Sequence, residues 1–252
     1  MPAFSCRASL YRQFAGLTAA DRRGWVQTPV TLDSARTAIL VMHAWDPGKP
    51  ENLPGRERAV EYLGRARLIL SEVFPPLLTS VRGARLPVLH LLEPGPAPRR
   101  GTVRDSTWHA QQALRRALSY PGEENQDDVD LAFADLRAAR QATPAPGEPT
   151  LTSCDALTRH CYERGINHLI YIGFALNWCL LMSPGGMIDM KRRGFICSTI
   201  PEATTAVERH DTAAEESEKA SALWRVAVEF GFVFSRGDFQ QALRQLAPPP
   251  SR

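Results

Sequence analysis

A single three-layer α/β/α domain built on a mostly parallel, Rossmann-like sheet is the fold this sequence predicts, and three observations predict it. Apolar runs at residues 37–43, 86–92 and 168–172 are continuous rather than alternating, the pattern of strands buried on both faces. The stretches between them hold apolar residues at helical spacing, so strands alternate with helices. The third run breaks at Gly173 and leads into Cys179 through the sequence HLIYIGFALNWC. That reads as strand, turn and helix start, which in an open α/β sheet lifts a side chain to the carboxyl edge where ligands bind.

Bulk properties set the frame. A chain of 252 residues is long enough for one full core. No run of about 18 apolar residues is present, so no membrane span is expected. The opening residues MPAFSCRASLYRQFAG lack the apolar stretch of a signal peptide. A net charge of +3 spread along the chain does not point to nucleic acid. Five cysteines, an odd number without a CxxC pair, fit reduced thiols in the cytoplasm better than disulfides or a zinc site. No metal and no cofactor is expected.

Taken in order, residues 1–35 form an N-terminal extension of mixed composition, with a short helix at residues 18–23. Residues 36–246 form the α/β domain. Its first strand, TAILVMH, ends in the turn signal Ala44-Trp-Asp-Pro-Gly48. Val60, Leu63, Leu70, Val73 and Leu77 predict a helix over 56–82 that Pro75 and Pro76 split or kink. The second strand follows, and a right-handed crossover joins the two. Residues 94–150 are a long excursion with a helix near 108–118 and an acidic stretch at 123–130. A connection of that length is a surface excursion or an active-site cover. Leu151, Cys154, Leu157 and Cys161 then make a helical stripe that Arg164-Gly165 closes. After the turn at Gly173 a helix runs from just before Cys179, is interrupted at Ser183-Pro-Gly-Gly186 and ends at Arg192-Arg-Gly194. A strand at 195–200 and an amphipathic helix at 212–230 follow, the latter with Ala220, Leu223, Ala227 and Phe230 inward and a Glu215–Lys219 pair outside. A short strand at 232–234, a helix at 238–246 and a Pro-rich, disordered tail at 247–252 complete the chain.

The residues of the third strand and its turn carry a family resemblance. Gly173-Phe-Ala-Leu-Asn-Trp-Cys179 is similar to the glycine-x-alanine-threonine-x-x-cysteine turn of the isochorismatase-like cysteine hydrolases, a family that includes nicotinamidases and carbamoylsarcosine amidases. TAILVMHAWD is similar to that family's first strand, and Thr199 to Glu208 to its strand-end motif. The resemblance implies a thiolate of Cys179 that attacks a carbonyl carbon of a small-molecule amide or related C–N bond and forms a thioester. It also implies an oxyanion hole from backbone N–H groups of Ala175 and Cys179, with a cis peptide between Phe174 and Ala175. Self-association into a homo-oligomer is expected of such sheets.

The departures are as informative. His43 stands where the family has its aspartate, no lysine occurs from Leu86 to Leu180, and Leu176 replaces the threonine of the turn. Lys49, Lys191 and Lys219 are the lysines of the chain. Metal ligands after the first strand have no counterpart beyond Asp46. Imidazole can serve a thiol as base, so Cys179 and His43 form the candidate catalytic pair. The plainer reading is a buried packing cysteine and a histidine closing a strand, in a protein that keeps the pocket for binding a small molecule or assembling with a partner. Asn177, Trp178, Trp45 and His90 are the candidate pocket residues beside Ala175 and Leu176, with Trp108 a further wall candidate. Cys154, Cys161 and Cys197 read as core. Arg99, Arg100 and Arg104 read as solvated surface, and Lys49 as a distant surrogate for the missing lysine.

Overall fold

In the computed structural model, which describes residues 3–13, 24–92 and 103–246, the chain opens with two antiparallel strands, β1 (Ala3–Arg12) and β2 (Gly24–Asp33). The sequence did not show this hairpin. Its inward row is Phe4, Cys6 and Ala8, two of them small, so the alternation has little contrast. The expected helix at 18–23, the loop at 93–101 and the tail at 247–252 lie outside the described residues.

The main sheet is five parallel strands in the order β5-β4-β3-β6-β7. They are β3 (Thr37–Met42), β4 (Val88–Leu91), β5 (Thr150–Leu151), β6 (His168–Gly173) and β7 (Ile196–Thr204). The chain moves outward from β3 to β4 and β5, then returns to the other side of β3 for β6 and β7. The order therefore reverses between β3 and β6, and crevices at such switch points hold ligands. Val233 extends this sheet: it bridges Thr199 of β7 in parallel and Ser9 of β1 antiparallel. The hairpin thus continues the sheet beyond β7.

Helices cover both faces, which gives the three layers. On one face Ile39, Val41, Ile170 and Ile172 pack with Phe74, Leu77, Phe234 and Phe239. On the other, Leu40, Met42, Leu169 and Tyr171 pack with Leu157, Met187 and Val226. Each large side chain buried this way contributes about 1.5–3 kcal/mol. The predicted 56–82 helix is three pieces: α1 (Pro54–Ala59), α2 (Leu63–Leu68) and α3 (Phe74–Gly83). A π-helical turn at Ile69–Val73 leads into α3, whose first turn takes Pro75, where no N–H is needed. The excursion forms α4 (Ser106–Leu118), capped by Asp105, and α5 (Gln126–Ala134). Helix α6 (Cys154–Arg164) has Ser153 as N-cap, and Gly165 in the left-handed region closes it, as the sequence predicted.

The stretch after β6 departs from its prediction. It is one π-helical turn, Leu176–Leu180, then α7 (Met187–Arg192), with Cys179 inside the turn rather than at a helix mouth. The amphipathic helix also starts later than its pattern implied, as α8 (Ser217–Arg225) with a π-helical turn after it. Both Glu208 carboxylate oxygens accept from its first N–H groups, Glu218 N at 3.0 Å and Lys219 N at 2.8 Å, so the N-terminus is set by a residue outside it. Ala222, Val226 and Ala227 face inward while Ala220 is exposed, and Lys219 pairs with Glu216, not Glu215. Last comes α9 (Arg236–Leu243), which lies on β1. Gln245 clamps Ser5 twice, accepting its N–H at 3.0 Å and donating to its carbonyl at 2.9 Å.

Candidate active site

Gly173 sets the site's geometry. Its φ is 133°, and a Cβ there would lie 1.8 Å from the Met42 carbonyl oxygen. Glycine is therefore required, because the ends of β3 and β6 are pressed together, Met42 paired with Gly173. The next residue on each strand enters the candidate site: His43 on one side, Phe174 on the other.

The turn that carries Cys179 is held at several points. The Phe174–Ala175 peptide is cis, as the resemblance implied. Leu176 is fully buried and its N–H donates to Thr205 O at 2.7 Å, so this N–H is committed and Leu176 belongs to the apolar layer beneath the site. Thr205 is in reach because β7 is irregular opposite β6: its register shifts between Tyr171 and Gly173, around Pro201. Asn177 pins the turn to the same segment, donating to Val207 O at 2.8 Å and accepting Val207 N at 2.9 Å. Ala175 O receives both Trp178 N and Leu180 N, the second closing the wider π-helical ring. Trp178 is 56% exposed and points to solvent, not into a pocket.

Cys179 differs from the other four cysteines. Cys6, Cys154, Cys161 and Cys197 are buried, whereas Cys179 is partly accessible. Burial pushes the thiols of Cys6, Cys161 and Cys197 up to about 12 and raises Cys154 as well. Cys154, Cys161 and Cys197 are core residues, as their positions predicted, and Cys6 is a fourth.

His43 closes β3 in the left-handed region, φ 52°, a conformation that costs a non-glycine residue energy and that histidine tolerates better than most. It is 5% exposed and stacked on Trp45, ring centroids 5.4 Å apart. Trp45 is fixed in turn by a backbone bridge to Ala138 of the excursion.

Tyr62 is the site residue the sequence did not reveal. Burial pushes its phenol up, and Cys179, close by, pushes it further. Its ring lies 6.5 Å from that of Phe174. Tyr120 and Arg56 also act on it, so this cluster joins the first helix, the turn that carries Cys179 and the excursion. Nothing in the local pattern at residues 60–63 distinguishes Tyr62 from a packing residue; its place beside Cys179 comes from tertiary structure. The excursion lies directly on this corner. Asp128 accepts Gly55 N at 2.6 Å, Asn125 accepts Arg58 Nε at 3.0 Å, and Asp46 N donates to Arg137 O at 2.8 Å.

His90 is placed in a different cluster. Its ring donates from Nε2 to Glu148 at 2.8 Å, and Glu148 is also held by Arg82 through two hydrogen bonds and by Ala145 N. Burial lowers the basicity of His90 even though Glu148 opposes this. Burial alone would raise Glu148, but the bonds from Arg82, Ala145 N and His90 outweigh it and bring its carboxyl down to about 2. His90 therefore anchors the end of the excursion. Trp108 sits on α4 against Arg104, 5.1 Å from ring centre to guanidinium. Asp46 accepts Gly48 N, which turns the loop after β3. Lys49 is exposed, Lys191 pairs with Glu229 and Lys219 with Glu216. Among the described residues no three His, Cys, Asp or Glu side chains converge as metal ligands, and no helix is long and apolar enough to cross a membrane.

No family model and no curated protein sequence matches the chain. Solved structures do. A cysteine hydrolase from Pseudomonas syringae pv. phaseolicola superposes with a TM-score of 0.52 at 16% identity, over 85% of this chain and 95% of that one. An isochorismatase-like hydrolase from Alkaliphilus metalliredigens aligns at 0.48 and 16% identity, over 83% and 99%. The chain shares its fold with the cysteine hydrolase of Pseudomonas syringae, and the resemblance to isochorismatase-like hydrolases stands as a likeness of fold.

Proposed function

We propose that the protein is a cysteine hydrolase acting on a small-molecule amide or related C–N bond, with Cys179 as nucleophile and His43 as base. One observation supports the reading above the others. The only cysteine of the five that is not buried sits on the turn after Gly173, at the sheet's switch point, and the neighbouring strand β3 ends there in His43, held at φ 52°. In the reaction the thiol proton passes to an imidazole nitrogen of His43 and the sulfur electron pair forms a bond to the carbonyl carbon. The displaced carbonyl electrons rest on oxygen, which the N–H groups of Ala175 and Cys179 would receive. The C–N bond then breaks, and nitrogen leaves with the proton from His43. Water, giving its proton to His43, attacks the thioester, releasing the acid and restoring the thiol.

Alkylation and turnover test this together. Iodoacetamide at neutral pH is expected to modify Cys179 first, mapped by mass spectrometry of the intact folded protein. Cys179→Ala is expected to abolish hydrolysis of whichever amide a panel of small primary amides identifies. Labelling of Cys179 no faster than Cys197 would sink the proposal.

A second reading, a pocket kept for binding without turnover, is favoured by the pairing of Lys191 with Glu229 and of Lys219 with Glu216 and by the exposure of Lys49. A His43→Asp variant that gains turnover on simple amides absent from the wild type would establish it.

A further inference from the structure

At the opposite, amino-terminal end of the sheet the strands leave a notch. β5 pairs with β4 only at His90 and Leu91, with His90 N donating to Pro149 O. Pro149 has no N–H to return to Val88, so the ladder cannot continue. The result is a cavity of about 600 Å³ whose floor is Leu86, Val88 and Ile166 and whose rim carries Arg82, Arg85, His160 and Arg164. Its charges do not cancel. Arg82 is neutralised by Glu148, which His90 and Ala145 N also saturate. Arg85 and Arg164 are exposed and form no ion pair among the described residues. Glu163, beside Arg164, acts on His160 without a hydrogen bond, and Asp33, which accepts the N–H of the lining residue Ala35, is paired with Arg36. Arg85 is also held at φ 56°, locked there by Arg85 N to Arg82 O and Leu86 N to Val81 O. A non-glycine residue in that region is strained.

We propose that this notch binds a small organic carboxylate, its anionic head between Arg85 and Arg164 and its apolar body on the Leu86, Val88 and Ile166 floor. The site is independent of Cys179, which lies at the carboxyl edge. Guanidinium is suited to it because its fork meets a carboxylate with two parallel hydrogen bonds.

Isothermal titration of the full chain at fixed ionic strength tests this, with benzoate as probe, benzyl alcohol as the neutral counterpart and inorganic phosphate as an anion without an apolar body. Benzoate is expected to bind, and the Arg85→Ser/Arg164→Ser variant to weaken it by about tenfold or more, since two charge-assisted contacts are lost. Cys179→Ala is expected to leave benzoate affinity unchanged. Both arginines are exposed, so the double variant should keep the wild-type melting profile, read by circular dichroism. Absence of benzoate binding, equal affinity in the double variant, or phosphate or benzyl alcohol binding as well as benzoate would each overturn the proposal.

Discussion

Gly173→Ala is expected to prevent folding or to cost more than about 4 kcal/mol, the range reserved for substitutions that collide with fixed structure. A Cβ at this position meets the Met42 carbonyl at 1.8 Å and its carbon at 2.9 Å, both backbone atoms. Neither can retreat, because β3 is the sheet's central strand, bonded to β4 on its other side, with Met42 opposite Leu91. The φ of 133° adds a conformational penalty for any L side chain. Gly194→Ala is the control. Its φ is 92° but a Cβ there would meet nothing within 4 Å, so only the backbone penalty, about 1 kcal/mol, applies. Urea unfolding of both variants separates the two contributions. Equal losses would show that the close approach of β3 and β6 is not what demands glycine.

Acid is expected to destabilise the fold in two steps. His168 is buried, and its Nε2 lies 2.6 Å from Ser198 Oγ, which itself accepts Phe232 N. Ser198 thus has its hydroxyl hydrogen to give, and His168 receives it as a neutral ring. Burial lowers its pKa from 6.5 to about 4. A base with a depressed folded pKa is charged in the unfolded chain first, so stability falls as pH drops through that interval, by about 3 kcal/mol in all. His90, lowered for the same reason, acts in the same direction. Glu148 follows. Its carboxyl, at about 2 in the fold against an ordinary 4.5, contributes stability that is present above the ordinary value and lost as pH falls toward 2. Urea midpoints measured from pH 7 to pH 3 are expected to decline from about 6.5 downward. His168→Gln, which still accepts from Ser198 but does not titrate, should flatten the first part of that decline. An unchanged slope in this variant would move the effect away from His168.

Those two positions also show what could be read in advance. His168 and Gly173 bound a strand whose apolar run identified it, and β3 and β4 were found in the same way. Strands buried on both faces need only to be apolar, so composition alone exposes them. The glycine that closes α6 was equally local. What escaped was whatever depends on partners far along the chain. His90 looked like a pocket residue until Glu148, 58 positions on, was placed against it. The start of α8 was set by Glu208, which no periodicity could reveal. Tyr62 came to Cys179 by tertiary packing alone. At the candidate site the break at Gly173 was legible in consecutive residues and the cis peptide lies where the resemblance implied it, but the π-helical form of the turn and the partial exposure of Cys179 were not foreseen. Nor were its neighbours, because Tyr62 reaches Cys179 only in the folded chain.

The joining of Ser5 to Gln245, 240 positions apart, bears on the order in which the molecule assembles. The β1–β2 hairpin is a local structure and can pair as soon as its own residues are available. Its inward row of Phe4, Cys6 and Ala8 nevertheless stays bare until Phe234 and Phe239 arrive to cover it. Val233 must also be in place before Ser9 can hold the hairpin to the sheet. The earliest strands to be made therefore wait for the latest residues. A chain ended ahead of α9 would carry the finished Cys179 turn but an open flank, and its exposed strand edge would offer itself to other chains.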